Sequence, residues 1–507
     1  MTPRSTSHGR PIAIIDIGSN SGRVMVFARD ASDHLRLLAG SRTALRLVHD
    51  VDEGGMLSEA AMTHTLEALR DFRAIAAGAG AARIVAVATA AMRDASNGAE
   101  FTRRVQRTLG IRIKVIDPLT EARYGFAGAV RGLAVSDGLL FDLGGGSLEV
   151  TRFKQRRSVR AVSLPLGALR LSERFLGSDP PTSKQMRRLR DHVRTALTSA
   201  HVGRLARGER LVGTGGTLRN LAKIDCHVRG EVPGRIHGYA LSLDRLADIV
   251  GWLAKVRERK RDEIPGLSAE RADSIVGGAV GILVLGELVH AKDIIVSGQG
   301  VREGVALEVL KMPIVTPEAV REASVSSLVS RFDGWRPDAA RRRRLVAAAL
   351  QRTLEPRAEV AVTMALDRAA HVLDIGRSVD VLNRHEHVAD ILLATDLDGF
   401  THEDLTLLAA LVRRSGNRHA EVGRLRTTAG PLDPRCVDRA AVVLSLADEI
   451  EGRCRRGPVR VACTIGRQVA LSVPRLSSWG DEDLGRRFER AFGKPLVVVP
   501  GRPRERR

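Results

Sequence analysis

Four cysteines, Cys226, Cys436, Cys454 and Cys463, contain no CxxC pair, which excludes a disulfide framework and a zinc ribbon. They read as free thiols in a reducing, cytoplasmic compartment. Long apolar runs are missing too. The first run is cut at Asp16, which removes a secretory core, and the longest, Ile275 to Gly286, ends at Glu287, short of the ~18–20 residues a membrane helix needs. No membrane partner is expected. Lysine is scarce: nine of the 80 basic residues, against 71 arginines. A net charge of +21 points to an anionic partner, because guanidinium suits bidentate phosphate contact, and an Ala-, Arg- and Gly-rich composition is the competing explanation of that charge. With 44% apolar and 27% charged residues over 507 positions, the chain is globular and long enough for about three or four domains of ~100–200 residues each.

From Pro11 to about Leu133 the strand-like runs IAIID, VMVFA, IVAVAT and IRIKVID alternate with helical patterns at Ser58 to Ala77 and Gly98 to Leu109. This predicts an α/β lobe over 11–133. The order repeats from Asp137 through LLFDLGGGSLEVTRF, LVGTGGTLRNLA, the buried helix IVGGAVGILVLGELV and DIIVSGQGVREGVALEVL, which predicts a second lobe over 134–312. Residues 313–457 carry Ala, Leu and Arg at helical spacing, an all-α domain in which Arg341-Arg-Arg-Arg344 is expected as a solvated helix face. Short β-like runs around one helix predict a small α/β appendage over 458–507. Residues 1–10 and the tail RPRERR are expected to be disordered.

The chemistry sits where strands stop. Ile12-Ala-Ile-Ile15 ends at Asp16, and Ile-Gly-Ser-Asn-Ser-Gly22 follows; LLF ends at Asp142, and Leu-Gly-Gly-Gly-Ser147 follows. A tight turn explains the small residues and leaves the carboxylates unexplained. Ser19, Asn20 and Ser21 in one turn, and Gly144, Gly145, Gly146 and Ser147 in the other, would let backbone N–H groups approach phosphate oxygens. An Asp repels phosphate, but it can hold Mg²⁺, which bridges to phosphate.

DIGSNSGR, DLGGGSLEV and GTGGT in that order resemble the actin/sugar kinase/heat-shock chaperone superfamily, and within it the exopolyphosphatase/guanosine pentaphosphate phosphohydrolase family. The resemblance rests also on Ala88-Thr-Ala-Ala-Met-Arg-Asp-Ala-Ser-Asn97, Glu121-Ala-Arg123, Glu149 and Ser297-Gly-Gln-Gly-Val-Arg-Glu-Gly304. It covers residues 11 to 312, with a weaker likeness to an HD-like helical domain after that. It implies an α/β fold: two actin-like (ribonuclease H-like) lobes flanking a cleft, followed by an all-α HD-like domain and the appendage. The implied roles are Glu121 as catalytic base, Glu149 as a second water-positioning or metal-linked carboxylate, and Arg93 as a phosphate clamp. Gly215, Gly216 and Thr217 would join the two turns in binding phosphate. Asp16 and Asp142 would hold Mg²⁺ or Mn²⁺, with K⁺ as a further cation.

Locally, Thr120 is expected to cap a helix that begins at Glu121, and strand alternation sets Glu149 on the face opposite Leu148 and Val150. The departures from the family pattern are Leu148, where Thr is common, and Gly22 and Arg23 at a variable position; none removes a reacting group. In the helical domain His371-Val-Leu-Asp374 and Arg384-His-Glu-His387 lack the His-Asp dipeptide of an HD metal site, so structural histidines are expected. The dipeptide His49-Asp50 in the first lobe reads as coincidence. The expected activity is Mg²⁺-dependent hydrolysis of the terminal phosphate of inorganic polyphosphate, with hydrolysis of guanosine pentaphosphate as the enzymatic alternative. A non-catalytic polyphosphate or alarmone sensor is the alternative of another class. A cytoplasmic homodimer with no specific nucleic-acid partner completes the expectation.

Overall fold

The run IAIIDI becomes β1 (Ile12–Ile17), buried nearly throughout because it lies inside a sheet. In the computed structural model the described residues are 9–47, 55–230, 235–416, 433–454, 459–474, 476 and 479–501. The tail RPRERR, residues 1–8 and His49-Asp50 lie outside them. The chain divides into two units, one ending at Ser324 and one starting at Val325.

In the first unit, β1 is joined by β2 (Ser21–Arg29), β3 (Leu35–Ala44), β4 (Arg83–Ala88) and β5 (Ile113–Val115) in the order β3-β2-β1-β4-β5. The β3-β2-β1 part is antiparallel, and β1-β4-β5 is parallel. A second sheet repeats the plan with β6 (Gly138–Leu143), β7 (Leu148–Lys154), β8 (Arg157–Leu164), β9 (Arg210–Thr214), β10 (Ala240–Ser242) and β11 (Asp293–Val296). Its order β10-β11-β9-β6-β7-β8 adds one antiparallel edge strand. These are two actin-like lobes. The repeat extends to single rungs: Asp16 on β1 lies opposite Arg23 on β2 and then Arg42 on β3, while Asp142 on β6 lies opposite Glu149 on β7 and then Ser163 on β8.

The helices Pro118–Arg131 and Val301–Val309 cross at glycines. A Cβ on Gly128 would sit 1.9 Å from the Gly300 carbonyl oxygen, and one on Gly304 would sit 1.9 Å from that of Tyr124. Backbone rests on backbone there. Arg123 and the Tyr124 hydroxyl donate to Glu308, each at 2.6 Å, and tie the same pair.

The second unit packs the helices Pro337–Leu354, Val360–Val372, Arg384–Ala394, His402–Gly416 and Pro434–Arg453 around one core. β12 (Ala462–Ile465), β13 (Val469–Pro474) and β14 (Leu496–Gly501) form a three-stranded sheet, and Val469, Leu471, Val473 and Phe488 bury their side chains in that same core. Among the described residues no helix is long and apolar enough to cross a membrane. The four cysteines form no disulfide.

The arginine run departs from the expected solvated face. Arg343 is fully buried, donating to Asp448 at 2.7 Å and Asp374 at 3.1 Å, while Arg342 pairs with Glu451 and Arg344 with Asp367. Helical spacing shows which residues share a face but not that carboxylates wait opposite it. Burial pushes the Asp374 carboxyl up, yet Arg343, Arg377 and Arg336 outweigh it and hold it below the usual carboxylate range. His371 meets Arg344 at 3.2 Å, so the histidine and Asp374 face guanidinium groups. Replacing Arg343 with Ala should strand buried carboxylates and destabilise the protein by about 3–5 kcal/mol, measured by urea unfolding. Because Asp374 is depressed, its contribution is present above the ordinary carboxylate pKa and fades as pH falls through the folded value, so the gap between variant and wild type should narrow in acid.

Candidate active site

Each lobe ends its first strand in the same turn. The Gly18 N–H donates to the Ser21 carbonyl at 3.1 Å, and the Gly144 N–H donates to that of Ser147 at 3.0 Å. The helix Ala168–Phe175 takes up the carbonyls of Gly144 and Gly145 through the N–H groups of Ala168 and Leu169. Across the cleft the turns face each other: a Cβ on Gly145 would lie 3.6 Å from the Cβ atoms of both Ser19 and Asn20. Asp16, Ser19, Asn20, Ser21, Asp142, Gly144, Gly145, Gly146 and Ser147 all line this cleft.

Glu121 and Glu149 line it as well. The helix carrying Glu121 starts three residues earlier than expected. Asp117 is its N-cap, accepting from the Leu119 and Thr120 N–H groups at 3.1 and 3.0 Å, with Pro118 in the first helical position. Thr120 instead donates its hydroxyl to Asp117 at 2.6 Å. A short carboxylate followed by proline is the better helix start, and it leaves Glu121 in the first turn.

Glu149 is 4% exposed and accepts from the Ser163 hydroxyl at 2.7 Å. Strand alternation turned it into the cleft, opposite Asp142. Burial, and then the nearby Asp142, raise its pKa to about 7. Burial and the neighbouring Asp16 raise Asp142 to about 6, against the pull of Arg219 and Arg302. Burial also raises Asp16. For Glu121, burial followed by Glu149 and Asp142 pushes the carboxyl well above its ordinary value. Its Oε2 is buried without a hydrogen-bond partner.

Two expected phosphate ligands stand back from the cleft. Arg93 donates to the Ile116 carbonyl at 2.9 Å and lies 3.6 Å from Glu121, so it stands behind that carboxylate and is not part of the lining. Thr217 is fully buried against Gly278, while Gly215 and Gly216 line the cleft. Gly215 has φ +109°, a left-handed backbone that sets the start of the helix Gly216–Val228.

The sequence reading missed the cations. Arg23, Arg219, Arg271 and Arg302 line the cleft beside Thr214 and Gly300. Burial and the proximity of Arg302, Arg219 and Arg42 lower Arg23 to about 8, and burial with Arg302 and Arg271 lowers Arg219 to about 10. Two of them left a signal: Arg23 shares the alternating face of Ser21, and Arg219 lies one helical turn after Gly216.

Known proteins are similar to the chain that builds this cleft from two turns, carboxylates and arginines. A model of the Ppx/GppA phosphatase family matches residues 26–312, and one of Ppx/GppA phosphatase domain III matches residues 320–465. Exopolyphosphatase 1 of Mycobacterium leprae is 31% identical over 276 residues, 53% of this chain and 80% of that protein. Exopolyphosphatase 1 of Mycobacterium tuberculosis is 28% identical over 331 residues, 64% and 96% of the two chains. Among solved structures, a Ppx/GppA family member from Aquifex aeolicus is 30% identical with a TM-score of 0.53, covering 60% of this chain and 98% of its own. An exopolyphosphatase from Cytophaga hutchinsonii is 25% identical with a TM-score of 0.56, covering 61% and 100%. Because the first match spans more than half of the chain, Glu121, Asp142 and Glu149 included, and the second continues into the helical unit, the chain belongs to the Ppx/GppA phosphatase family.

Proposed function

We propose that the chain is an exopolyphosphatase that releases the terminal phosphate of inorganic polyphosphate. The observation that carries the reading is the meeting of the two turns with Glu121: a cradle for phosphate oxygens and a half-buried carboxylate whose Oε2 accepts no hydrogen bond line one cleft. The relatives named exopolyphosphatase support the substrate.

In this reading the turn N–H groups hold the terminal phosphoryl group and Glu121 takes a proton from a water. The water oxygen forms a bond to the terminal phosphorus as the bridging P–O bond breaks, and the electron pair leaves with the shortened chain. Orthophosphate is the other product. A carboxyl raised above its ordinary value, by burial first and then by Glu149 and Asp142, is a stronger base than an exposed one. Glu149, held by Ser163, positions the same water. Arg93 steadies Glu121 from behind.

Asp16 and Asp142 would hold Mg²⁺ or Mn²⁺. The donor set fits: the charge of Asp16 raises the Asp142 pKa, a repulsion that a divalent ion relieves. Mg²⁺ is usually held by one or two carboxylates and completed by water and substrate oxygens, a number of protein ligands that Asp16 and Asp142 can supply. When bound, the ion neutralises charge on the transferred phosphoryl group. A cytoplasmic homodimer goes with this reading through the family resemblance, and light scattering tests the dimer.

Glu121→Gln should keep the fold and polyphosphate binding but lower kcat by ~10²–10⁴-fold, followed as phosphate release. A folded variant with near-normal kcat would remove Glu121 from the role of base. Chelation with EDTA should abolish phosphate release and added Mg²⁺ restore it, with Asp142→Asn needing far more Mg²⁺ for half-activation; activity indifferent to EDTA would refute the metal assignment. Phosphate release from long-chain polyphosphate and from guanosine pentaphosphate, measured side by side, decides the substrate.

A further inference from the structure

The turn between β7 and β8 is built of two residues, Gln155 and Arg156, with φ of +47° and +58°. Two left-handed residues make the turn that hairpin strands prefer, and Asn-Gly is its ordinary sequence because larger side chains are strained there. Arg156 accepts that strain and carries its guanidinium inward. The residue is buried; its Nη1 donates to the carbonyls of Leu133 at 2.9 Å and Val135 at 2.6 Å, and its Nη2 to those of Val130 at 2.7 Å and Arg131 at 3.2 Å. Val130 and Arg131 end the helix Pro118–Arg131, and the last carbonyls of a helix have no partner within it. The Arg156 N–H donates to the Ser136 carbonyl at 2.8 Å and the Gln155 N–H to the Asp137 carboxylate at 2.9 Å, so the turn is fastened to the chain leaving that helix. Burial and the nearby Arg131 lower the Arg156 pKa only to about 10, and the group stays cationic at neutral pH.

Both elements that meet at Arg156 carry a carboxylate of the cleft toward their other end. Along the helix Glu121 lies ten residues before Arg131, about 15 Å at 1.5 Å per residue. Along β7 Glu149 lies five residues before Lys154, about 17 Å at ~3.3 Å per residue. Between those ends the two run side by side: the rings of Phe126 and Phe153 are 5.6 Å apart, and Ala129 and Val130 share one core with Phe153 and Leu140. At the cleft end, a Cβ on Gly125, one turn after Glu121, would lie 3.4 Å from the Asp142 carboxylate, on the strand that pairs with β7. We propose that Arg156 is a positioning residue for the reaction: by holding the far end of the Glu121 helix against the far end of β7, it sets Glu121 against Glu149 in the cleft. The inference rests on Glu121 acting as base in the exopolyphosphatase reading and adds the group that registers it. A helix is stiff along its axis, so a slip at its C-terminal end carries its first turn with it, and a misplacement of ~1 Å at a reacting group is enough to cost ~10²-fold in rate. An Asn-Gly turn would close the hairpin without strain, and it would leave those four carbonyls without the guanidinium.

Arg156→Gly separates the guanidinium from the turn, because glycine suits the left-handed backbone while removing the clamp. On polyphosphate its kcat should fall about 10–100-fold with KM nearly unchanged. Arg156→Lys, which keeps a cation with fewer donors, should recover part of the loss. Melting temperatures and circular dichroism establish that each variant is folded. In the Glu121→Gln protein the same Arg156→Gly change should lower kcat little further, since the group it positions is already gone. A folded Arg156→Gly protein with wild-type kcat would overturn the proposal. An equal loss in both backgrounds would overturn it too, making Arg156 a general support of the fold. If Arg156→Gly does not fold, Arg156→Lys with and without Glu121→Gln carries the same comparison. Wild-type protein that releases phosphate from guanosine pentaphosphate and not from polyphosphate would refute the exopolyphosphatase reading alone, and the same kcat comparison on that substrate still decides Arg156.

Discussion

Asp142 and Glu149 stand directly opposite each other on neighbouring strands, Glu149 buried and Asp142 half-buried, and both line the cleft. Like charges in that position are destabilising, and most of the first unit follows from tolerating them. Ser163, the next residue along the rung, donates to Glu149. Arg219 and Arg302 pull against the rise in the Asp142 pKa, and the first turns of two helices end at the same cleft. None of these neutralises the pair fully, and Asp142 and Glu149 stay raised to about 6 and about 7. A fold that only had to be stable would place an apolar residue at one of the two positions.

The second unit meets the same problem and closes it. Asp374, Asp448 and Glu451 are buried as deeply, but the fully enclosed Arg343 sits among them, with Arg336, Arg342, Arg377 and Arg384 around the edge. Each carboxylate there has its guanidinium. The first unit instead offsets its arginines toward a neighbouring cavity, so charges of opposite sign face a shared space rather than each other. One arrangement pairs its charges within the protein, and the other leaves them open to the cleft.

Features governed by local spacing were legible in the sequence. The strand-ending Asp16 and Asp142, the small residues after them and the repeat of the lobe all follow from patterns within a dozen residues, and Glu149 entered through strand alternation. Features governed by strand pairing or distant packing were not legible. Arg23 and Arg42 become neighbours only once the strands are in register, and Arg271 comes from a separate short helix at Ala269–Arg271. Arg343 looked solvated because its partners lie on segments 31 and 105 residues away. The start of the Glu121 helix was a local miss. Asp117-Pro118 outcompetes Thr120 as a cap, and the signal was present in the sequence.

The glycine crossing of the helices Pro118–Arg131 and Val301–Val309 has a consequence for mutagenesis. A methyl group at Gly128 or Gly304 would overlap a carbonyl oxygen of the facing backbone, and a backbone cannot rotate aside as a side chain can. The lobes would have to part, carrying Glu121 away from Asp142. A random screen for lost phosphatase activity will therefore return substitutions at both glycines although neither touches a reacting group, and the smallest residue in the alphabet will score there like a catalytic one.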